Sequence, residues 1–86
     1  MHELSLVSSL LTQAEAAAIS EGATRVTGLS VRLGALSHLS PNHLREHLAQ
    51  ASVGSMLEGA HVEVTIDMDT SSPTAQDIEL LSVKVV

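Results

Sequence analysis

Apolar residues recur at Leu4, Val7, Leu11, Ala14 and Ala18, with Leu6 and Leu10 beside them, and this spacing predicts an amphipathic helix from Leu4 to Ser20. The run Ala16-Ala17-Ala18 favours helix, and Gly22, after Glu21, is placed to close it. From Val26 to Leu33 the period falls to two. Leu29, Val31 and Leu33 alternate with Gly28, Ser30 and Arg32, which predicts a strand with one buried face. Gly34 breaks the strand, and Ala35 to Leu39 forms a loop. Ser40 followed by Pro41 is a helix start, serine accepting from the first turn and proline occupying a position that needs no N–H. The second helix is expected from Pro41 to about Ser52, burying Leu44, Leu48 and Ala51, with Gly54 as its stop. A second strand is predicted over His61 to Met68, where Val62, Val64, Ile66 and Met68 alternate with Glu63, Thr65 and Asp67. The polar run Asp69 to Asp77 then reads as a loop, and the β-branched stretch Ile78 to Val86 as a last strand.

The order helix, strand, helix, strand, strand gives an α+β domain with two helices packed on one face of a mixed three-stranded β-sheet. A strand–helix–strand unit makes the first two strands parallel neighbours. Strands two and three are expected to pair antiparallel through the loop at 69–77, leaving a hairpin. The open edges of so short a sheet also leave room for a homodimer.

At 86 residues the chain makes one domain with a thin stability margin. It contains no cysteine and no aromatic residue, so neither a disulfide nor a thiolate zinc site can support a core built from aliphatic side chains and alanine. A net charge of −6 argues against a nucleic-acid partner. No stretch is apolar enough to span a membrane, the start lacks the pattern of a secretory leader, and the expected compartment is cytoplasmic. No phosphate-binding loop, nucleophile elbow or catalytic constellation is present, so an enzyme is not expected.

The chemistry with the clearest spacing lies in Met1-His2-Glu3. A histidine at position two places its imidazole, its backbone amide nitrogen and the terminal amine within reach of one ion. Such an all-nitrogen set suits square-planar Ni(II) or Cu(II) better than tetrahedral Zn(II). The first four N–H groups of a helix have no acceptor within it, so an amide proton lost to a metal there breaks no helix hydrogen bond. Other candidates are weaker. His43 and His47 stand four apart on the second helix and could grip a metal, though no third ligand is spaced to join them, and a solvated pair is the simpler reading. His38 could approach the N-terminus only if the fold brings it there. His61 reads as a surface residue. Glu63, Asp67, Asp69 and Asp77 lack the spacing of a calcium loop and read as a solvated hairpin, while Arg25 and Arg32 are too few for a docking patch.

Met1-His2-Glu3-Leu4-Ser5-Leu6-Val7, Gly22 to Gly28, Leu33-Gly34-Ala35-Leu36-Ser37 and Leu57-Glu58-Gly59-Ala60 resemble the nickel metallochaperones of hydrogenase maturation, the HypA/HybF family, and Ile78 to Val83 is similar to that family's closing strand. The resemblance implies Ni(II) bound through Met1, His2 and Glu3, and delivery with a maturation GTPase to a hydrogenase or urease precursor. It also implies a zinc ribbon, held by two Cys-x-x-Cys pairs, between the last two strands. Here that place holds only the loop 69–77, so the whole of 1–86 is expected to be a single nickel-binding domain without structural zinc. The alternative is a small interaction module of the same fold that has lost metal delivery along with the ribbon.

Overall fold

The computed structural model describes residues 3–86, with side chains from Ser5 onwards. Helix α1 (Glu3–Ser20) buries Val7, Leu10, Ala14 and Ala18, the stripe set by the helical repeat, while Leu11 is half-buried at its margin. Its end is a Schellman turn. The N–H of Ala23 donates to Ala18 O at 3.0 Å, that of Gly22 to Ile19 O at 3.0 Å, and Gly22 takes φ 70°, a left-handed conformation natural to glycine.

Strand β1 (Val26–Leu33) follows, then α2 (Pro41–Ala51), β2 (His61–Ile66) and β3 (Ile78–Val85). Ser40 caps α2 as its sequence requires, its Oγ accepting from the N–H of His43 at 3.1 Å, with Pro41 in the first turn. The far end differs slightly from expectation. Ala51 is exposed and Ser52 is buried in its place, the Ser52 N–H closing the last turn onto Leu48 O at 2.9 Å.

The sheet order is β2-β1-β3, with β1 parallel to β2 and antiparallel to β3. This corrects the expected hairpin: β2 and β3 run in opposite directions but do not touch, because β1 lies between them. Every apolar residue of β1, namely Val26, Leu29, Val31 and Leu33, is buried, and a central strand is where such a segment satisfies both of its hydrogen-bonding edges beneath helices. The 67–77 connection therefore crosses the end of β1 and bonds to it there. Asp67 N–H donates to Leu33 O at 2.9 Å, Gly34 N–H to Asp77 O at 2.9 Å and Leu36 N–H to Ala75 O at 2.7 Å. Strand β2 is also shorter than its alternation suggested. It ends at Ile66, and Met68 is 81% exposed, since the chain has already turned across the sheet.

Two irregularities keep the pairing apolar to apolar. The β1–β3 register slips once beside Thr27 and once beside Leu81, so that Val26 meets Val85, Leu29 meets Val83, Val31 meets Leu80 and Leu33 meets Ile78. Each slip reverses the alternation of the strand that carries the extra residue and returns the next apolar side chain to the inner face. That inner face joins Val7, Leu10, Leu44 and Leu48 of the helices in one core, and Leu39 and Leu57 enter it from the connections.

Candidate metal centre

Only residues 21–25 separate α1 from β1, so the two run antiparallel, and α2 must run back between the parallel β1 and β2. Both helices thus start at the end of the sheet where β1 finishes. At about 1.5 Å per residue in a helix and 3.3 Å in a strand, α1 and β1 are nearly equal in length, which brings the start of α1 level with that end. The segment 34–40 and the 67–77 connection lie there too. Met1, His2 and the Glu3 side chain are outside the described residues, as is the geometry of the chelate they were expected to form.

The remaining candidates fall in separate places. His38 is exposed in the segment before α2 and takes φ 59°, a left-handed backbone. His43 and His47 share one side of α2, with ring centroids 6.4 Å apart and planes at 82°, an edge-to-face contact. His61 opens β2 at the opposite end of the sheet. Among the described residues no three histidine, aspartate or glutamate side chains converge as a metal-binding group.

The acidic candidates are used in the fold. Asp67 Oδ2 accepts from Arg32 Nη1 at 3.0 Å, and Asp67 Oδ1 accepts from the N–H of Asp69 at 2.9 Å. Asp69 Oδ1 accepts from the Ser71 hydroxyl at 2.7 Å and from the Ser71 N–H at 3.0 Å. These bonds favour the carboxylate, the hydroxyl first, and hold Asp69 below the usual carboxylate range. Their contribution is complete above the ordinary aspartate pKa and is lost as pH falls through the lowered one. The arginines are anchored as well. Arg25 Nη2 donates to Glu58 O at 2.7 Å, and Arg32 binds Asp67, Thr74 and Glu79 at once. The sequence shows Arg32 only as the polar partner of an alternating strand; its role depends on β2 and β3 flanking β1.

No helix among the described residues is long and apolar enough to cross a membrane. Residues 1–71 match the family model described as hydrogenase/urease nickel incorporation, metallochaperone, hypA. The hydrogenase maturation factor HypA of Nitrosospira multiformis is 39% identical over 64 residues, covering 74% of this chain and 56% of that protein. That of Roseiflexus sp. is 45% identical over 64 residues, covering 74% and 52%. The chain thus spans about half the length of the curated relatives it matches. The solution structure of the Ni metallochaperone HypA from Helicobacter pylori superposes with a TM-score of 0.82 over 100% of this chain and 98% of that one, at 17% identity, which shows a common fold. With the family match starting at Met1 and running through β2 into the crossing connection, the chain belongs to the HypA family of nickel-incorporation metallochaperones.

Proposed function

We propose that this chain holds one Ni(II) ion at its N-terminus, through the Met1 amine, the imidazole and amide nitrogen of His2 and a donor from Glu3, and releases it to hydrogenase or urease maturation. The carrying observation is that the match to the family of nickel incorporation includes residues 1–3, a run of consecutive nitrogen donors in a sequence whose helix α1 is described from Glu3. The chemistry fits the cargo. An amine, a deprotonated amide and an imidazole make a strong-field set that Ni(II) accepts in a plane, and the start of a helix has amides to spare. Because the amine and imidazole must be deprotonated to bind, affinity falls with pH below neutrality. Cu(II) outranks Ni(II) on such donors, so selection for nickel rests with metal supply and with a partner.

Delivery requires other proteins, and a maturation GTPase and the precursor of the nickel enzyme are the partners this reading supplies. The 67–77 connection stands where a zinc ribbon is expected, and with no cysteine in the chain a thiolate zinc site has no ligands. On this reading 1–86 works as one nickel-binding domain. The half-length match to its relatives favours one rival, an interaction module of the same fold without metal delivery. Titrating untagged protein with Ni(II) separates the two. An equivalent of Ni(II) that the native chain binds and His2→Ala does not supports the chaperone reading; equal binding by both proteins overturns it.

A further inference from the structure

We propose that His43 and His47 form a second, exchange-labile site for a divalent first-row metal ion, on one flank of α2. That its cargo is nickel rests on the reading above; that it binds metal does not. The pair stands four residues apart, so both rings rise from one side of the helix, and the cap bond that the His43 N–H donates to Ser40 Oγ fixes the turn that carries the first of them.

The rings are close to the separation that a shared ion imposes. With metal–nitrogen bonds of about 2.0–2.1 Å, two imidazoles in adjacent coordination positions bring their centroids to about 4.5–5.5 Å. The present separation is 6.4 Å, edge to face. Rotation of the exposed His43 side chain on the surface of α2 closes so small a gap. Glu46, one turn on from His43 and exposed, adds negative charge beside the pair, in a chain whose net charge of −6 already attracts cations.

The absence of a third converging ligand among the described residues determines what kind of site this is. Two imidazoles leave coordination positions to water, or to donors from another protein, so an ion held there exchanges readily. That suits transfer rather than storage. Its place in the fold agrees: α2 starts at the same end of the sheet as α1, which puts His43, in the first turn, toward the end where α1 begins at Glu3. His61, by contrast, opens β2 at the opposite end of the sheet.

The test uses the 86-residue chain with a free N-terminus, titrated calorimetrically with NiCl2 and separately with CuCl2, as native chain, His2→Ala, His43→Ala/His47→Ala and the triple variant. Two equivalents are expected for the native chain, one for each of the next two proteins and none for the triple. Cu(II) added to His2→Ala should broaden the ring proton signals of His43 and His47 together in NMR spectra, ahead of those of His61. If His2→Ala binds nothing, the pair site is overturned while the terminal one stands. If His2→Ala binds as the native chain does, and the double variant loses that binding, the terminal reading falls and this one stands. Broadening that spares His43 and His47 also overturns it, whatever the stoichiometry.

Discussion

Arg32 leaves the open face of β1 and fixes three separate segments. Its Nε donates to Glu79 Oε1 of β3 at 2.8 Å, Nη1 to Asp67 Oδ2 just past β2 at 3.0 Å, and Nη2 to the carbonyl and hydroxyl oxygens of Thr74 at 3.2 and 2.9 Å. Nη2 also contacts Glu79 directly. The Arg32 side chain is only 15% exposed, so its planar fork is held in one geometry, and no lysine could make the same set of bonds. Replacing it with methionine keeps most of the packing but leaves Asp67 and Glu79 as neighbouring uncompensated carboxylates. The expected loss is about 1–2 kcal/mol, short of the 3–5 kcal/mol of a fully buried pair because Glu79 stays half in water. Urea unfolding of Arg32→Met against the native chain measures it, and an unchanged midpoint would show that the network adds nothing.

Among the elements, two glycines with similar sequence roles differ sharply. Gly22 has a left-handed backbone and open space where a Cβ would project, so Gly22→Ala strains the end of α1 by about 1 kcal/mol and clashes with nothing. Gly34 has an ordinary φ, yet a Cβ there would run into the backbone of Ala75 and lie 2.6 Å from Thr74 O. Backbone atoms cannot rotate away. Gly34→Ala should therefore cost more, about 2–3 kcal/mol, with its spectral changes centred on residues 72–77. Equal effects in thermal melts of the two variants would mean that the connection yields freely. The sequence identifies both glycines as breakers, but only the first for the right reason. A helix end is written locally, in Gly22 and the apolar stripe before it, and so are the Ser40-Pro41 cap and the strand alternations. The close approach at Gly34, the slips beside Thr27 and Leu81 and the burial of Leu39 and Leu57 depend on distant segments and leave no local period. The proposed terminal chelate differs in kind: its donors are consecutive in the sequence, so its assembly would need no folding step to bring them together.

For the whole molecule, the decisive feature is that β3 enters on the far side of β1 from β2. The sequence alone favoured a hairpin because consecutive strands usually pair, and nothing local in the 69–77 stretch distinguishes a turn from a crossing. The two arrangements make opposite demands on that stretch. A hairpin tolerates shortening to two residues. The crossing must span two strand spacings, about 9–10 Å, while Asp67 stays bonded to Leu33, and Ala75 and Asp77 to the segment after β1. Residues 69–73 are its slack, mostly exposed, whereas Ala75 is buried. Deleting 69–73 should therefore lower the thermal midpoint, because it removes the Asp69–Ser71 and Ser72–Thr74 bonds that shape the approach of Thr74 to Arg32. Inserting a ten-residue Gly/Ser segment between Ser71 and Ser72 roughly doubles the connection and should cost only about 0.6 kcal/mol in closure entropy. Circular dichroism melts of the two variants decide between the topologies, since a deletion that folds as well as the native chain would restore the hairpin. A well-tolerated insertion has a further consequence. A connection that accepts added length without disturbing α1 is one where a longer relative can carry an extra domain, and Ni(II) titration of the inserted variant should match that of the native chain.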